Sequence, residues 1–260
     1  MDVEKVSYSV DERGIALLKI SNPPMNALDE ESMLQLEDCL KRISSDDGVK
    51  VVVITGEGPT FIVGADVNKV SEVTTAEKGI ELTSMAHGIL NLIENSRKPV
   101  IAAINGLCLG GGTELAMACH MRIAGEQAQM GLPEIMLGIM PGFGGTQRAA
   151  RLLGTAMALE IMLTGKFIDM KEAARIGLVG RVVPDGELLQ EAMKLAKSIA
   201  AKGQLAVRTI VEAVIDGVKL PLDEGLRLES RLFGRLAESE DKKEGISAFL
   251  EKRKPVFKGR

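Results

Sequence analysis

Two runs of apolar residues, Val51-Val52-Val53-Ile54-Thr55 and Val100-Ile101-Ala102-Ala103-Ile104, constrain this chain more than any other feature. Neither run alternates apolar with polar. Each therefore reads as a strand buried on both faces, the pattern of a parallel sheet covered by helices. Helical spacing separates them. Met33, Leu36, Leu40 and Ile43 follow a candidate N-cap at Asp29, and a second helix is predicted from about Ala76 to Ile93. Upstream, Val6–Val10 and Ile15–Ile20 read as hairpin strands around an Arg13-Gly14 turn. Downstream, Glu114–Cys119 reads as a helix and Met121–Ala124 as a short strand. The alternation argues for an α/β fold of right-handed βαβ units with helices outside the sheet.

The texture changes near Pro141. Helices are predicted at 146–153, 156–164, 170–176, 188–200, 205–216, 222–236 and 245–252, with Gly180–Val183 as the one plausible strand. The second half thus reads as a helical extension and not as a second sheet. Its last amphipathic helices carry apolar faces that are more readily buried against another subunit than left in water. The mixed charges of Glu238–Glu244 suit a solvated helix face.

Composition removes several classes of function. The chain has 260 residues, 45 % hydrophobic and 26 % charged, an ordinary globular balance. A net charge of −4 offers no basic excess for nucleic acid. No apolar run reaches the roughly 18 residues of a membrane helix. Met1–Lys5 has the character of neither a secretory nor a transit segment, so a cytoplasmic setting is expected. Cys39, Cys108 and Cys119 are too few and too scattered for a disulfide framework or a zinc site, and read as buried thiols. The two histidines, His87 and His120, have no nucleophile motif to serve, which disfavours a hydrolase triad. No metal-ligand spacing is present.

Three segments concentrate glycine and carboxylate. They are Phe61–Asp66, Asn105–Ala116 with Gly110-Gly111-Gly112 and Glu114, and Pro133–Arg148 with Glu134 and Gly144-Gly145. The middle segment follows a buried strand and precedes a helix, where open α/β sheets place ligands. Its glycines can aim N–H groups at a phosphate or an oxyanion, or can simply make a tight strand-to-helix turn. Glu114 is either an anion placed favourably at a helix start or a proton-transfer group in an apolar setting. Glu134, behind Pro133, is either a helix-start residue or the partner that completes an acid/base pair.

In their order, these motifs resemble the crotonase (enoyl-CoA hydratase/isomerase) superfamily. The resemblance rests on Asn26-Ala27-Leu28, Gly64-Ala65-Asp66 and Lys98–Gly106. It continues through Leu109–Ala116, Pro133-Glu134, Pro141-Gly142 and Gly144–Arg148, and ends with Glu244-Gly245 and Ala248–Arg253. It spans essentially the whole chain.

The resemblance implies a spiral core of ββα units over residues 1–200, which holds the CoA and active site. A C-terminal helical region, 201–260, would trimerise, and two trimers would stack as a hexamer. It implies reversible hydration of a short trans-2-enoyl-CoA to a 3-hydroxyacyl-CoA. The cofactor expectation is none, since CoA is part of the substrate. Glu114 and Glu134 would be the catalytic acid/base pair, Glu134 mainly the proton donor to C2 and Glu114 mainly the water-activating base. Backbone N–H groups of Ala65 and Gly111 would form the oxyanion hole. Ala65, Asp66, Val67, Asn68, Gly111 and Gly142 would contact the CoA substrate.

Four positions depart from the family pattern. Ile62 and Val63 replace small residues, Asn68 stands where lysine is frequent, and His120 where aspartate is frequent. None touches the glutamate pair. A hydratase for a cyclic or branched enoyl-CoA, or an enoyl-CoA isomerase, is the enzymatic alternative. A non-catalytic acyl-CoA-binding or RNA-binding protein is an alternative of another class.

Overall fold

The hairpin opens the computed structural model, which describes residues 3–260, leaving Met1 and Asp2 of the N-terminal segment outside it. β1 (Val6–Val10) and β2 (Ile15–Ile20) are antiparallel, with Val6 opposite Ile20. Helix α1 (Glu30–Ser45) starts at Asp29, whose carboxylate accepts from the Ser32 N–H at 2.8 Å while Ser32 Oγ accepts from the Asp29 N–H at 3.0 Å. This reciprocal cap satisfies two backbone donors. Met33, Leu36, Leu40 and Ile43 are buried, as their spacing requires. At the other end, the buried Lys98 ammonium donates to the Ile43 and Asp46 carbonyls at 2.5 Å each. A cation there complements the negative end of the helix.

The chain then winds in repeated turns. β3 (Val51–Gly56) leads to the short β4 (Ile62–Val63) and then to α2 (Val67–Ser71) and α3 (Ala76–Glu94). β5 (Val100–Ile104) leads to β6 (Leu107–Leu109) and α4 (Gly111–Ala118). β7 (Met121–Gly125) leads to β8 (Gln129–Gly131), a 3₁₀ turn at Pro133–Leu137, α5 (Gly145–Leu153) and α6 (Thr155–Thr164). β9 (Phe167–Asp169), α7 (Met170–Arg175), β10 (Arg181–Val183) and α8 (Leu188–Ala200) close the core. Helices α9 (Gln204–Gly217), α10 (Leu222–Ala237) and α11 (Glu240–Leu250) follow.

Successive turns deliver one strand to each of two sheets. The larger runs β1-β2-β3-β5-β7-β10, and the smaller runs β4-β6-β8-β9. The apolar runs behave as read. Val52, Ile54, Val100, Ala102 and Ile104 enter one core, while Val51, Val53, Ile101 and Ala103 enter a second core on the other face. Helix α8 roofs that second core with Leu188, Ala192, Ala196 and Ala200. Both faces of β3 and β5 are therefore dry, which is why neither strand alternates.

The smaller sheet corrects the expectation that the second half adds no strand to another sheet. β9 pairs antiparallel with β8, Ile168 opposite Met130. Its strands span two or three residues each, too short to display a period of two. Helix α4 also begins earlier than expected, taking Gly111 and Gly112 into its first turn. Helix α11 starts at Glu240, capped by the Ser239 hydroxyl, so the mixed charge run lies largely within it.

All three cysteines are buried and free. His120 is structural. Its Nδ1 accepts from the Val100 N–H at 3.0 Å, which leaves the proton on Nε2 facing the Glu94 carbonyl at 3.1 Å. Among the described residues, no helix is long and apolar enough to cross a membrane.

Candidate active site

The smaller sheet brings the glycine and carboxylate motifs together. Val63 of β4 stands beside Leu109 of β6, and Leu109 stands beside Gly131 of β8, all in parallel register. The next residues along each strand therefore emerge side by side at one edge. Gly64-Ala65 follows β4, Gly110-Gly111 follows β6, and Pro133-Glu134 follows β8. Segments up to about seventy residues apart in the chain become neighbours because their strands are neighbours. A bond from the Gly110 N–H to the Gly131 carbonyl, 2.9 Å, extends the pairing of β6 and β8 to this edge.

A cavity of about 890 Å³ opens there, lined by Ala65, Val67, Gly111, Glu114, Glu134 and Gly142 among others. Six of the expected site residues thus share one space. Asp66 and Asn68 do not line it. Asp66 caps α2, its Oδ1 accepting from the backbone and side-chain nitrogens of Asn68 at 2.9 and 3.1 Å. Each satisfies the other at the exposed rim.

The backbone conformation at the edge depends on glycine. Gly64 and Gly110 have φ of +71° and +52°, values costly for residues with a Cβ. Ala65 and Gly111 follow these turns, and both line the cavity. The Ala65 nitrogen lies 3.5 Å from where a side chain on Gly111 would begin. Gly111 is the first residue of α4, so its N–H has no partner within the helix. Among the described residues neither N–H meets a protein acceptor. Two unpaired donors side by side at a helix N-terminus can bind a developing oxyanion.

Glu114 sits one turn into α4 and is 1 % exposed. Its Oε1 accepts from the Phe143 N–H at 2.8 Å and the Gly145 N–H at 2.6 Å. Gly145 begins α5, so the carboxylate also faces the positive end of a second helix. The approach requires glycine, since a Cβ on Gly145 would lie 2.8 Å from Glu114 Oε1. Burial nevertheless dominates and pushes the Glu114 carboxyl up to about 7, against the two N–H bonds, with the nearby Glu134 charge adding to the rise. A carboxyl poised there can give and take a proton near neutral pH.

Glu134 follows Pro133 in the 3₁₀ turn, and its Oε1 lies 3.1 Å from where a Gly110 side chain would begin. Its Oε2 is buried with no hydrogen-bond partner. Burial raises this carboxyl too. An unpaired buried carboxylate oxygen is costly unless a water or a ligand reaches it, or a proton sits on it. The site therefore holds two carboxyls of raised proton affinity beside two free N–H donors.

Sequence reading missed Phe143, whose N–H holds Glu114 and whose ring packs on Gly111. An isolated aromatic in a glycine-rich loop carries no local signal of that role. Ile62 and Val63 form β4 itself: Ile62 is buried in the core, and Val63 lines the cavity.

The family model for enoyl-CoA hydratase/isomerase matches residues 11–260. A protein of Bacillus subtilis named "Probable enoyl-CoA hydratase" is 45 % identical over 98 % of both chains. A "Crotonyl-CoA hydratase" of Syntrophomonas wolfei is 44 % identical over 99 % of both. The crystal structure of an enoyl-CoA hydratase from Bacillus anthracis superposes with a TM-score of 0.94 at 37 % identity, covering 98 % of this chain and all of the other.

Proposed function

This chain belongs to the enoyl-CoA hydratase/isomerase family, and from that premise we propose that it reversibly hydrates a short 2-enoyl-CoA to the 3-hydroxyacyl-CoA. The observation that carries the reading is the convergence of Glu114, Glu134 and the free Ala65 and Gly111 N–H groups on one cavity.

The chemistry follows from where charge must develop. The thioester oxygen takes the two N–H bonds. They withdraw electron density from the conjugated double bond, make C3 electrophilic, and stabilise the enolate-like charge of the transition state. One such donor is typically worth about 3–4 kcal/mol of barrier. Glu114, held through Oε1, takes a proton from the water that attacks C3. Glu134 delivers the proton to C2. Reversal of the same steps dehydrates the 3-hydroxyacyl thioester. Two carboxyls favour hydration over isomerisation, which can run on one.

In this reading Ala65 and Val67 contact the CoA moiety at the mouth of the cavity, with Asp66 and Asn68 at the rim. Gly142 shapes the pocket for the reacting end. The exposed apolar faces of the C-terminal helices assemble subunits into trimers and hexamers.

Purified protein is expected to remove the enoyl absorbance of crotonyl-CoA. Glu114→Gln and Glu134→Gln are each expected to lower kcat by on the order of 10²–10⁴. Unimpaired turnover in either variant would overturn its assigned role, and chromatography of the product separates hydration from isomerisation.

A further inference from the structure

Arg148 stands outside the cavity, yet it governs the segment that holds Glu114. Its side chain is 11 % exposed, folded back from α5 over the loop that precedes it. Nη1 donates to the Phe143 carbonyl at 3.0 Å. Nε and Nη2 donate to Glu94 Oε2 at 3.0 and 2.7 Å, and Nη2 also reaches Asn91 Oδ1 at 3.0 Å. Glu94 and Asn91 belong to the last turn of α3, so one guanidinium ties the loop to a core helix. A planar, forked cation makes such a tie rigid in a way a lysine cannot.

The local sequence fits this arrangement. Gly144 has φ +102°, and a Cβ there would collide with Arg148 Nη1. The loop residue between the two Glu114 donors must therefore be glycine for the guanidinium to fold back. Phe143 is bound at both ends of its peptide framework: its carbonyl by Arg148 and its N–H by Glu114.

We propose that Arg148 is a positioning residue for hydration, holding the Phe143–Gly145 segment so that both N–H groups stay aimed at Glu114 Oε1 and placing a positive charge behind the ionised carboxylate. This rests on the reading of Glu114 as the water-activating base. The Arg148 charge opposes the rise that burial imposes on Glu114. Removing it raises the proton affinity of Glu114, so the base is lost at a higher pH than in the wild type. Loosening the loop also lets the carboxylate drift, and a misplacement of about 1 Å can cost roughly 10²-fold in rate.

The test is the pH profile of crotonyl-CoA hydration by the full-length enzyme with Arg148→Met, Arg148→Lys and Glu114→Gln. Arg148→Met is expected to move the acid limb of kcat/KM upward by about half a unit to one unit. Its kcat at the optimum should fall by about 10- to 100-fold. Arg148→Lys keeps the charge but loses the fork. Its acid limb should stay near the wild-type position, with kcat severalfold below wild type. An unmoved acid limb in Arg148→Met overturns the inference, whatever its thermal stability. If that variant does not fold, Arg148→Lys decides, and wild-type kcat there overturns it equally. Glu114→Gln separates the failures. Full turnover in that variant sinks the reading of the base and this inference with it. An inactive Glu114→Gln beside an unmoved Arg148→Met limb sinks this inference alone.

Discussion

Glu114 is more costly to keep ionised in the folded protein than in water, and pH can read that cost. Its carboxyl is raised from 4.5 to about 7, first by burial. Below pH 4.5 the folded and unfolded states both carry the proton, and no penalty exists. Between 4.5 and about 7 the unfolded chain ionises while the folded site resists, so the penalty grows with pH. Above about 7 it is complete, at most about 3 kcal/mol. Glu114→Gln removes the charge and keeps an oxygen for the two N–H donors. The variant is expected to be more stable than wild type at pH 8 by on the order of 1–3 kcal/mol, with the gap closing toward pH 4. Urea unfolding at both values checks this, and an equal gap at pH 4 and pH 8 would contradict the assigned burial cost. A stabilised, inactive variant is the signature of a site that trades stability for function.

The element on which the site turns is α4. Its first turn is Gly111-Gly112-Thr113-Glu114, a poor helix start by propensity, and sequence reading places the glycines ahead of the helix. The packing explains the choice. A Cβ on Gly112 would overlap the Ile62 carbonyl oxygen and lie 2.8 Å from its carbonyl carbon. The helix can sit this close to β4 only without side chains. Gly112→Ala is expected to lower stability by about 1–3 kcal/mol or more through forced separation of β4 and α4. Because Ala65 follows β4 and Gly111 opens α4, hydration should fall further than the folded fraction does. Calorimetry together with kcat per folded enzyme tests this, and a rate that merely tracks the folded fraction contradicts it. At the other end of α4, the Arg122 guanidinium donates to the Ala116 and Cys119 carbonyls at 3.3 and 2.7 Å. That charge complements the helix whose opposite end faces the cavity.

For the whole molecule, the unresolved balance is at the C-terminal helices. Leu222, Phe233 and Phe249 are 76 %, 72 % and 82 % exposed in the single chain. In the proposed assembly these side chains are buried against another subunit. Light scattering is expected to give a trimer or hexamer mass. Phe233→Arg should lower that mass, since a buried unpaired cation opposes association. A monomeric wild-type protein would refute the proposed assembly. The block is not detached from the core in the single chain, because Arg97 and Asp216 pair at 2.6 Å between the start of β5 and α9.

Periodicity and burial were legible from composition along the chain: the strands of the large sheet, α1, α3 and the helices from α5 to α10 follow from where apolar residues fall, because that pattern is local, while α4 and α11 begin earlier than it places them. The motifs around Glu114 and Glu134 could be singled out as chemically unusual, and their resemblance to a known family suggested the roles proposed for them. What local sequence could not supply was the meeting of Gly64-Ala65, Gly110–Glu114 and Pro133-Glu134 at one edge. That meeting is made by β4, β6 and β8, strands of two or three residues with no period of their own. Their alignment, Val63 with Leu109 and Leu109 with Gly131, exists only once the spiral has closed. The raised proton affinity of Glu114 and the hold of Arg148 on its donors belong to the same class, since burial and long-range hydrogen bonds are properties of the packed chain.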